Sequence, residues 1–420
     1  MGFKETLKNN LPRVTYIATI AMFVMPIIPR GIRPVLLVVY LLLAFLGKIY
    51  SHEQIRWKIL ILNSVLFLSY LASLLYSDNL DYGLRKVATC LPLIIFPLIY
   101  ALMDSSTIKY ILDRRYQLMW WFIGATVLFN LFAFAVFFNH YTFDDVILHF
   151  VNIIRSDIPG LKIHPIYLSM HICVAMIFSL FLVQSNLNWK KLAVLILINL
   201  IFIGFLLIMI KKGPIISLLL VGGFLMIMFK NKNLYAVFGV GVIGLLALII
   251  FNPKVNHRFS ELLQVQHADA SMTNSTNIRY SIYQCVTEIL PEAGFFGYGV
   301  GDGKNKLVEC YKEEVVFLSE NRYNAHNQYL GIVLKSGYLG LGLFIVFLLY
   351  YLIRGFNNKN YLLVSILLFY CIVMFSENIL ERENGVLYFS LFVNLFLMMD
   401  YSFKEKSPTE RTSKRFLKNE

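Results

Sequence analysis

Charged residues are scarce in this sequence. Only 15% of its 420 residues are charged, whereas 58% are hydrophobic and the mean hydropathy is +0.65. A soluble domain has roughly 25% charged residues. The shortage of charge argues against a soluble enzyme and indicates a polytopic membrane protein.

Cysteine is scarce as well, with five residues in the chain. Cys90, Cys173 and Cys371 fall in predicted helices, where cysteine serves as a small apolar side chain. Cys285 and Cys310 lie in a long polar segment and could pair in an oxidising compartment. The sequence leaves that pairing open.

The hydrophobic residues are grouped in runs of about 16 to 24, each long enough to cross a membrane as a helix. We therefore predict one all-α integral membrane domain over residues 1–420, with about twelve transmembrane helices. Pro26 and Pro29, with no small-residue cleavage site, favour a retained first helix over a signal peptide. The predicted spans lie near residues 15–29, 33–49, 57–76, 86–103, 118–139, 164–183, 189–210, 213–229, 234–251, 338–353, 361–376 and 385–400.

The net charge of +13 would suggest a nucleic-acid partner in a soluble protein. Here more than half of the 38 basic residues fall in short segments that share one side of the membrane. The positive-inside rule then predicts that both termini are cytoplasmic. It places residues 252–337 outside as a loop with short helices, and residues 401–420 inside as a disordered tail.

Two common ligand motifs are excluded. The glycines between positions 297 and 303 resemble a nucleotide loop, but Tyr298 and Asn305 stand where a P-loop requires Gly and Ser or Thr. These glycines are predicted to allow tight turns instead. His164 and His171 share a helix face without a carboxylate beside them, so no metal site is predicted.

Basic residues mark two further places. In "IKKGPI", Lys211 and Lys212 occupy a tight outer turn, where they either extend to lipid headgroups or bind an anion. Arg279 lies in the first turn of a helix predicted over 277–290, capped by Thr276 or Asn277 and ended before Pro291. There it either pairs with a carboxylate or joins the helix amides in binding an anion.

His326 begins a short interfacial helix predicted from Asn324 to Lys335, followed by a bend at Gly337 and Gly340. A single histidine in such a place is usually structural, and the alternative is a catalytic base.

The segment "SENILEREN", residues 376–384, is a compact outer turn. Its Glu377, Glu381 and Arg382 either form a solvated hairpin with internal ion pairs, or orient His326 or bind sugar hydroxyls.

The stretch "HNQYLGIVLKSGYLG" resembles a motif of bacterial O-antigen ligases: His, then Asn, Ser or Gln, nine residues, Gly, two residues and Gly. Arg279 with Tyr283 is similar to that family's arginine and aromatic residue, and "KKG" to its basic residue before glycine. Two features depart from the family: Lys212 replaces arginine, and Leu341-Gly342 replaces paired threonines. O-antigen polymerases share parts of this pattern.

The resemblance implies transfer of a glycan from undecaprenyl pyrophosphate to a hydroxyl of lipid A–core, at the periplasmic face of the bacterial inner membrane. It implies an inverting reaction without ATP, metal or other cofactor, in lipopolysaccharide biosynthesis. His326 is the predicted base, and Arg279, Lys212 and Lys211 bind pyrophosphate; the accessory residues are Asn327, Tyr283, Glu377, Glu381 and Arg382.

Two alternatives remain. A polymerase would use the same chemistry with a glycan acceptor. A transporter of lipid-linked polysaccharide would instead need charged or helix-breaking residues in the middle of several spans.

Overall fold

A computed structural model describes residues 3–158, 160–185, 187–251, 253–260 and 275–402. Within these ranges the chain is helical and contains no strand. Shorter turns of 3-10 helix occur at Met25–Ile27, Arg30–Ile32, Leu74–Tyr76, Phe143–Asp145 and Ile379–Glu381, with a π-helical turn at Ile153–Asp157. The α-helices are α1 (Phe3–Phe23), α2 (Arg33–Ser51), α3 (Trp57–Asn63), α4 (Val65–Ser73), α5 (Leu80–Thr89), α6 (Pro92–Leu102), α7 (Ser105–Asp113), α8 (Arg115–Phe138), α9 (Val146–Asn152), α10 (Pro165–Gln184), α11 (Trp189–Met209), α12 (Lys212–Phe229), α13 (Lys232–Phe251), α14 (Pro253–Ser260), α15 (Ser275–Ala293), α16 (Gly303–Glu314), α17 (Val316–Glu320), α18 (Gln328–Asn357), α19 (Tyr361–Met374) and α20 (Glu383–Ser402).

Six of the described helices are long and apolar enough to cross a membrane: α2, α8, α10, α11, α12 and α18. Two bent pairs, α3 with α4 and α5 with α6, raise the number to eight if each pair is one span. These helices agree with a multi-pass helical membrane protein. The number of twelve spans stays a prediction, although each predicted span overlaps a helix or a bent pair.

Helix α10 forms the centre of the bundle. In its most apolar stretch, 94% of the residues are buried inside the protein, as expected for a helix that is hydrophobic on every face. Phe122 of α8, Phe178 of α10 and Phe392 of α20 meet there, with ring centroids 5.4 to 5.5 Å apart. The bundle is therefore organised around aromatic packing between these three helices.

Helices α15, α16 and α17 build a second, smaller core beside the bundle. A disulfide between Cys285 and Cys310 joins α15 to α16, which resolves the pairing that the sequence left open. The carboxylate of Asp302 accepts hydrogen bonds from the backbone of Asp78 and Asn79, at 2.7 and 3.2 Å. This contact fixes the small core to the break between α4 and α5.

The predicted bend at Gly337 is confirmed. Gly337 has φ 66°, and helix α18 is kinked at this point. A kink frees backbone carbonyls, and here those of Leu334 and Lys335 accept hydrogen bonds from Tyr298 and Gly299, at 2.9 and 3.0 Å. A Cβ at position 337 would collide with the carbonyl of Phe295.

The same glycine-rich loop makes the predicted tight turns. Gly297 and Gly299 have φ of 78° and 96°, in the left-handed region that glycine enters without strain. The loop thus closes over the kink of α18.

Three predicted boundaries were wrong. Helix α15 includes Ser275, so Thr276 and Asn277 lie within it and neither is its cap. Helix α15 continues through Pro291 to Ala293 and ends at Gly294, whose φ of 56° is typical of a helix C-terminus. The interfacial helix starts at Gln328, not at Asn324, because the Asn327 side chain accepts a hydrogen bond from Leu330 N at 3.1 Å and caps it.

Parts of two other predictions lie outside the described residues. These are residues 403–420 of the tail, and residues 252 and 261–274 of the polar loop. Tyr401 and Ser402, which were assigned to the tail, belong to α20.

Candidate active site

A cavity of about 940 Å³ brings the predicted site residues together. Its wall is formed by the turn between α11 and α12, the start of α15, the chain before α18 and the turn after α19. Of the residues predicted from the sequence it is lined by Lys211, Lys212, Arg279, Tyr283, His326, Glu377, Glu381 and Arg382. Asn327 does not line the cavity; it caps α18 beside it.

The carboxylate of Glu377 contacts both Arg279 and His326. Its Oε1 lies 3.1 Å from Nη2 of Arg279, and its Oε2 lies 3.2 Å from Nδ1 of His326. The Arg279 Nε also donates to the carbonyl of Ser376 at 3.2 Å. One carboxylate therefore holds the guanidinium and the imidazole in the same place, although 47 positions separate them in the chain.

The surroundings keep Glu377 ionised. Burial alone would raise the pKa of this carboxyl, but the contact with His326 and the charges of His326 and Arg279 outweigh it. The pKa falls to about 2 from an ordinary value of 4.5. Glu377 is thus a fixed negative charge against the imidazole.

The imidazole of His326 lies against the carboxylate of Glu377 without a well-directed hydrogen bond between them. Nδ1 is buried and makes no hydrogen bond of good geometry, yet it lies within ion-pair distance of Oε2. A nitrogen placed so close to a carboxylate favours the tautomer with the proton on Nδ1. Nε2 is then the nitrogen that can accept a proton.

The backbone of His326 is held in a conformation that few residues adopt. Its φ is 42°, in the left-handed region, which costs a non-glycine residue on the order of 1 kcal/mol. Neighbouring contacts hold it: the Tyr283 hydroxyl lies 3.3 Å from the His326 carbonyl, and Asn327 N donates to Asn378 at 3.0 Å. Strain maintained in this way is typical of a functional position.

The turn between α11 and α12 presents both lysines to the cavity. It is very short because Ile210, with φ 43°, ends α11 and Lys212 begins α12. Nζ of Lys212 lies 3.5 Å from the hydroxyl of Thr276, in the first turn of α15. The lysines therefore stand at the positive end of the α12 dipole, facing the helix that carries Arg279.

The residue at position 213 is packed tightly against the turn that carries Glu377. A Cβ there would collide with the hydroxyl of Ser376, beside Glu377. The "KKG" turn thus approaches the Glu377 turn closely at a residue that has no side chain.

Glu381 has a structural partner that the sequence did not indicate. It forms a buried ion pair with Lys335, and it accepts a hydrogen bond from Asn378 at 2.8 Å. Burial alone would raise the pKa of Glu381, but Lys335 and Lys86 lower it. Asn378 also contacts Asn327, so this network fixes the chain on which His326 lies.

Several cavity residues were missed by the sequence analysis. The cavity is lined by eight basic residues and only two acidic ones. The additional residues are Lys86, Arg155, His164, Lys304 and Arg322. They carry no recognisable local motif, and His164 was considered only as a metal ligand.

His164 is a neutral neighbour of these cations. Burial, and then the charges of Arg382 and Arg155, lower its pKa to about 3. Its Nε2 lies 3.2 Å from Nη2 of Arg155. The imidazole therefore accepts from the arginine and adds no positive charge.

Among the described residues, one group of metal-ligating side chains lies close together: Cys285, Glu288 and Cys310. Both sulfurs are committed to the disulfide. None of these three residues lines the cavity.

Comparison with known families agrees with these residues. Residues 197–345 match a family model described as O-antigen ligase. The matched region contains the "KKG" turn, Arg279, Tyr283 and His326, and it ends before the Glu377 turn. No curated protein matches the chain. The match supports the resemblance to O-antigen ligases over residues 197–345.

Proposed function

We propose that this protein is a glycosyltransferase that moves a glycan from undecaprenyl pyrophosphate to a hydroxyl of lipid A–core, at the periplasmic face of the bacterial inner membrane. The observation that carries the proposal is the shared carboxylate of Glu377. It holds His326 and Arg279 together in a strongly basic cavity.

The basic side of the cavity suits the donor. When the glycosidic carbon–oxygen bond breaks, the electron pair leaves with the pyrophosphate, so negative charge grows on that group. Arg279 and Lys212, with Lys211 and the first amides of α12, can neutralise it in a place of low dielectric. A guanidinium has five N–H donors, so Arg279 can contact a phosphate while it contacts Glu377.

The imidazole suits the acceptor. The acceptor oxygen forms the new bond to the anomeric carbon as its proton passes to Nε2 of His326, and direct attack inverts that carbon. Glu377 then stabilises the imidazolium, as a carboxylate does in other acid–base pairs. Such base catalysis contributes about 10²- to 10⁴-fold.

Contacts within the bundle agree with the predicted assignment of chain segments to the inner and outer sides of the membrane. The basic residues of the cavity come from segments predicted to lie outside or, for Lys86, from the predicted outer end of a span. Residues of predicted inner segments instead contact the predicted inner ends of spans: Arg56 donates to Met103 O, and Arg354 lies 3.3 Å from Asp400. This division favours a single polar site on the outer side.

The alternatives differ in the acceptor or in the class of protein. A polymerase would place another glycan where lipid A–core binds, and the cavity suits either acceptor. A transporter is less well supported, because the basic residues gather at one cavity and do not follow a path through the helices.

Deletion of the gene, followed by gel analysis of lipopolysaccharide, tests the proposal. We expect bare core, with polymer retained on its lipid carrier, because the last transfer is missing. Core with a single repeat would indicate the polymerase. An unchanged ladder would contradict both transferase functions for this glycan.

A further inference from the structure

We infer that the cavity contains a second anion site, formed by Lys86, Lys304 and Arg322, that binds a carboxylate or phosphate substituent on one of the glycans. The inference rests on the proposed function and adds a substrate class to it: at least one substrate is an acidic saccharide. We call these three residues the second basic cluster.

Three separate elements bring the second basic cluster together. Lys86 lies in the last turn of α5, Lys304 in the first turn of α16, and Arg322 directly after α17. All three line the same cavity as His326. Burial lowers the pKa of Lys304, and the charges of Lys86 and Arg322 lower it further. The contacts agree: Arg322 donates to Asn305, the residue after Lys304, and Asp302 joins the start of α16 to the chain just before α5.

The carboxylate that acts on this charge is already engaged by other groups. Among the described residues, none of the three has an acidic side chain within ion-pair distance. Arg322 is oriented by a neutral group, because its Nη2 donates to Asn305 at 2.8 Å. Glu381 acts on both Lys86 and Lys304, and its carboxylate is engaged by Lys335 and Asn378. Like charges gathered without an ion-paired carboxylate of their own are stabilised when an anionic ligand binds.

The second basic cluster and the proposed pyrophosphate site have different acidic neighbours. Arg279 pairs with Glu377, whereas Lys86 and Lys304 act on Glu381. Asn378 separates the two carboxylates in the turn and contacts the backbone beside His326. A glycan whose reacting atoms lie at His326 can therefore carry a second anionic group to the Glu381 side. An arginine with two lysines suits a carboxylate or a phosphate.

The chain offers a matched control on the same helix. Lys306 is also in the first part of α16, but it is exposed, lies 3.4 Å from Glu309 and does not line the cavity. Lys304→Ala and Lys306→Ala remove the same charge from the protein. They differ in whether the charge faces the cavity.

The test uses the full-length protein, purified in lipid nanodiscs, with two donors and two acceptors. One polyprenyl-pyrophosphate-linked glycan carries a hexuronate, and its partner carries the corresponding neutral hexose. One glycolipid acceptor is phosphorylated, and the other is not. We expect wild-type kcat/KM to be roughly tenfold higher for the acidic member of one pair, as for a charged hydrogen bond.

Lys304→Ala should remove most of that preference and leave transfer between the neutral substrates within about twofold of the wild-type rate. Lys306→Ala and Lys304→Arg should keep the preference for the acidic substrate. A preference within the donor pair places the acidic group on the donor, and one within the acceptor pair places it on the acceptor. Either result supports the site.

Other results would overturn it. If the active wild type shows no preference in either pair, the inference fails while the proposed function stands. The same holds if Lys304→Ala lowers neutral and acidic transfer equally, because the cluster then serves the pyrophosphate or the fold. If no pair is transferred at all, the proposed function fails and takes the inference with it.

Discussion

His326→Ala is expected to lower the rate of glycan transfer by about 10²- to 10⁴-fold, while the protein still inserts and accumulates. The acceptor hydroxyl is a poor nucleophile until its proton is removed, and His326 is the imidazole placed against Glu377 in the cavity. The side chain is only partly buried, at 23% exposed, so its removal leaves no large void in a core. The loss should therefore appear in kcat and not in the amount of folded protein.

The measurement is transfer by purified protein under single-turnover conditions, with folded protein quantified by gel filtration in detergent. His140→Ala is a suitable control, because His140 is exposed and lies outside the cavity. It should behave as wild type. Near-normal turnover by His326→Ala would end the assignment of this residue as the base.

Arg279→Ala is expected to cost about 10²- to 10³-fold, comparable with the removal of one donor to a developing negative charge. The loss has two sources. The guanidinium no longer faces the leaving pyrophosphate, and Glu377 loses the partner that fixes its Oε1. Arg279→Lys should recover only part of the rate, because lysine lacks the planar fork that contacts Glu377 and Ser376 together.

Lys212→Arg is the companion variant, and we expect it to keep most of the activity. It retains the charge at the start of α12, and arginine is the residue that the related ligases usually have there. Both variants should be measured at saturating and at low donor concentration, since loss of leaving-group stabilisation lowers kcat as well as kcat/KM. Equal rates for Arg279→Ala and wild type would remove the arginine from the site.

The features that the sequence predicted correctly depend on neighbouring residues. Gly337 is followed closely by Gly340, and a helix meeting two glycines in an apolar run can bend there, as α18 does. Tight turns at Gly297 and Gly299 follow from the freedom of glycine at positive φ. Helix boundaries were less exact, because the end of α15 depends on Gly294 and not on the nearby Pro291.

The features that the sequence left open depend on tertiary packing. Glu377 could be either part of a solvated hairpin or a partner of His326, and only the fold of α15 against the turn after α19 decides between them. The second basic cluster gave no signal at all. Lys86 lies at the start of a predicted span, and Lys304 follows glycines whose pattern indicates only tight turns.

In the proposed mechanism, one cavity holds the pyrophosphate of the donor against Arg279 and Lys212 while the reacting sugar faces His326. A structure of the protein with a bound polyprenyl-pyrophosphate-linked sugar measures this directly. We expect phosphate oxygens within hydrogen-bond distance of both basic side chains, and Nε2 of His326 within about 3 Å of the position for the attacking hydroxyl. A pyrophosphate bound elsewhere, with its sugar more than about 15 Å from the imidazole, would contradict the account, because no proton could then pass between them.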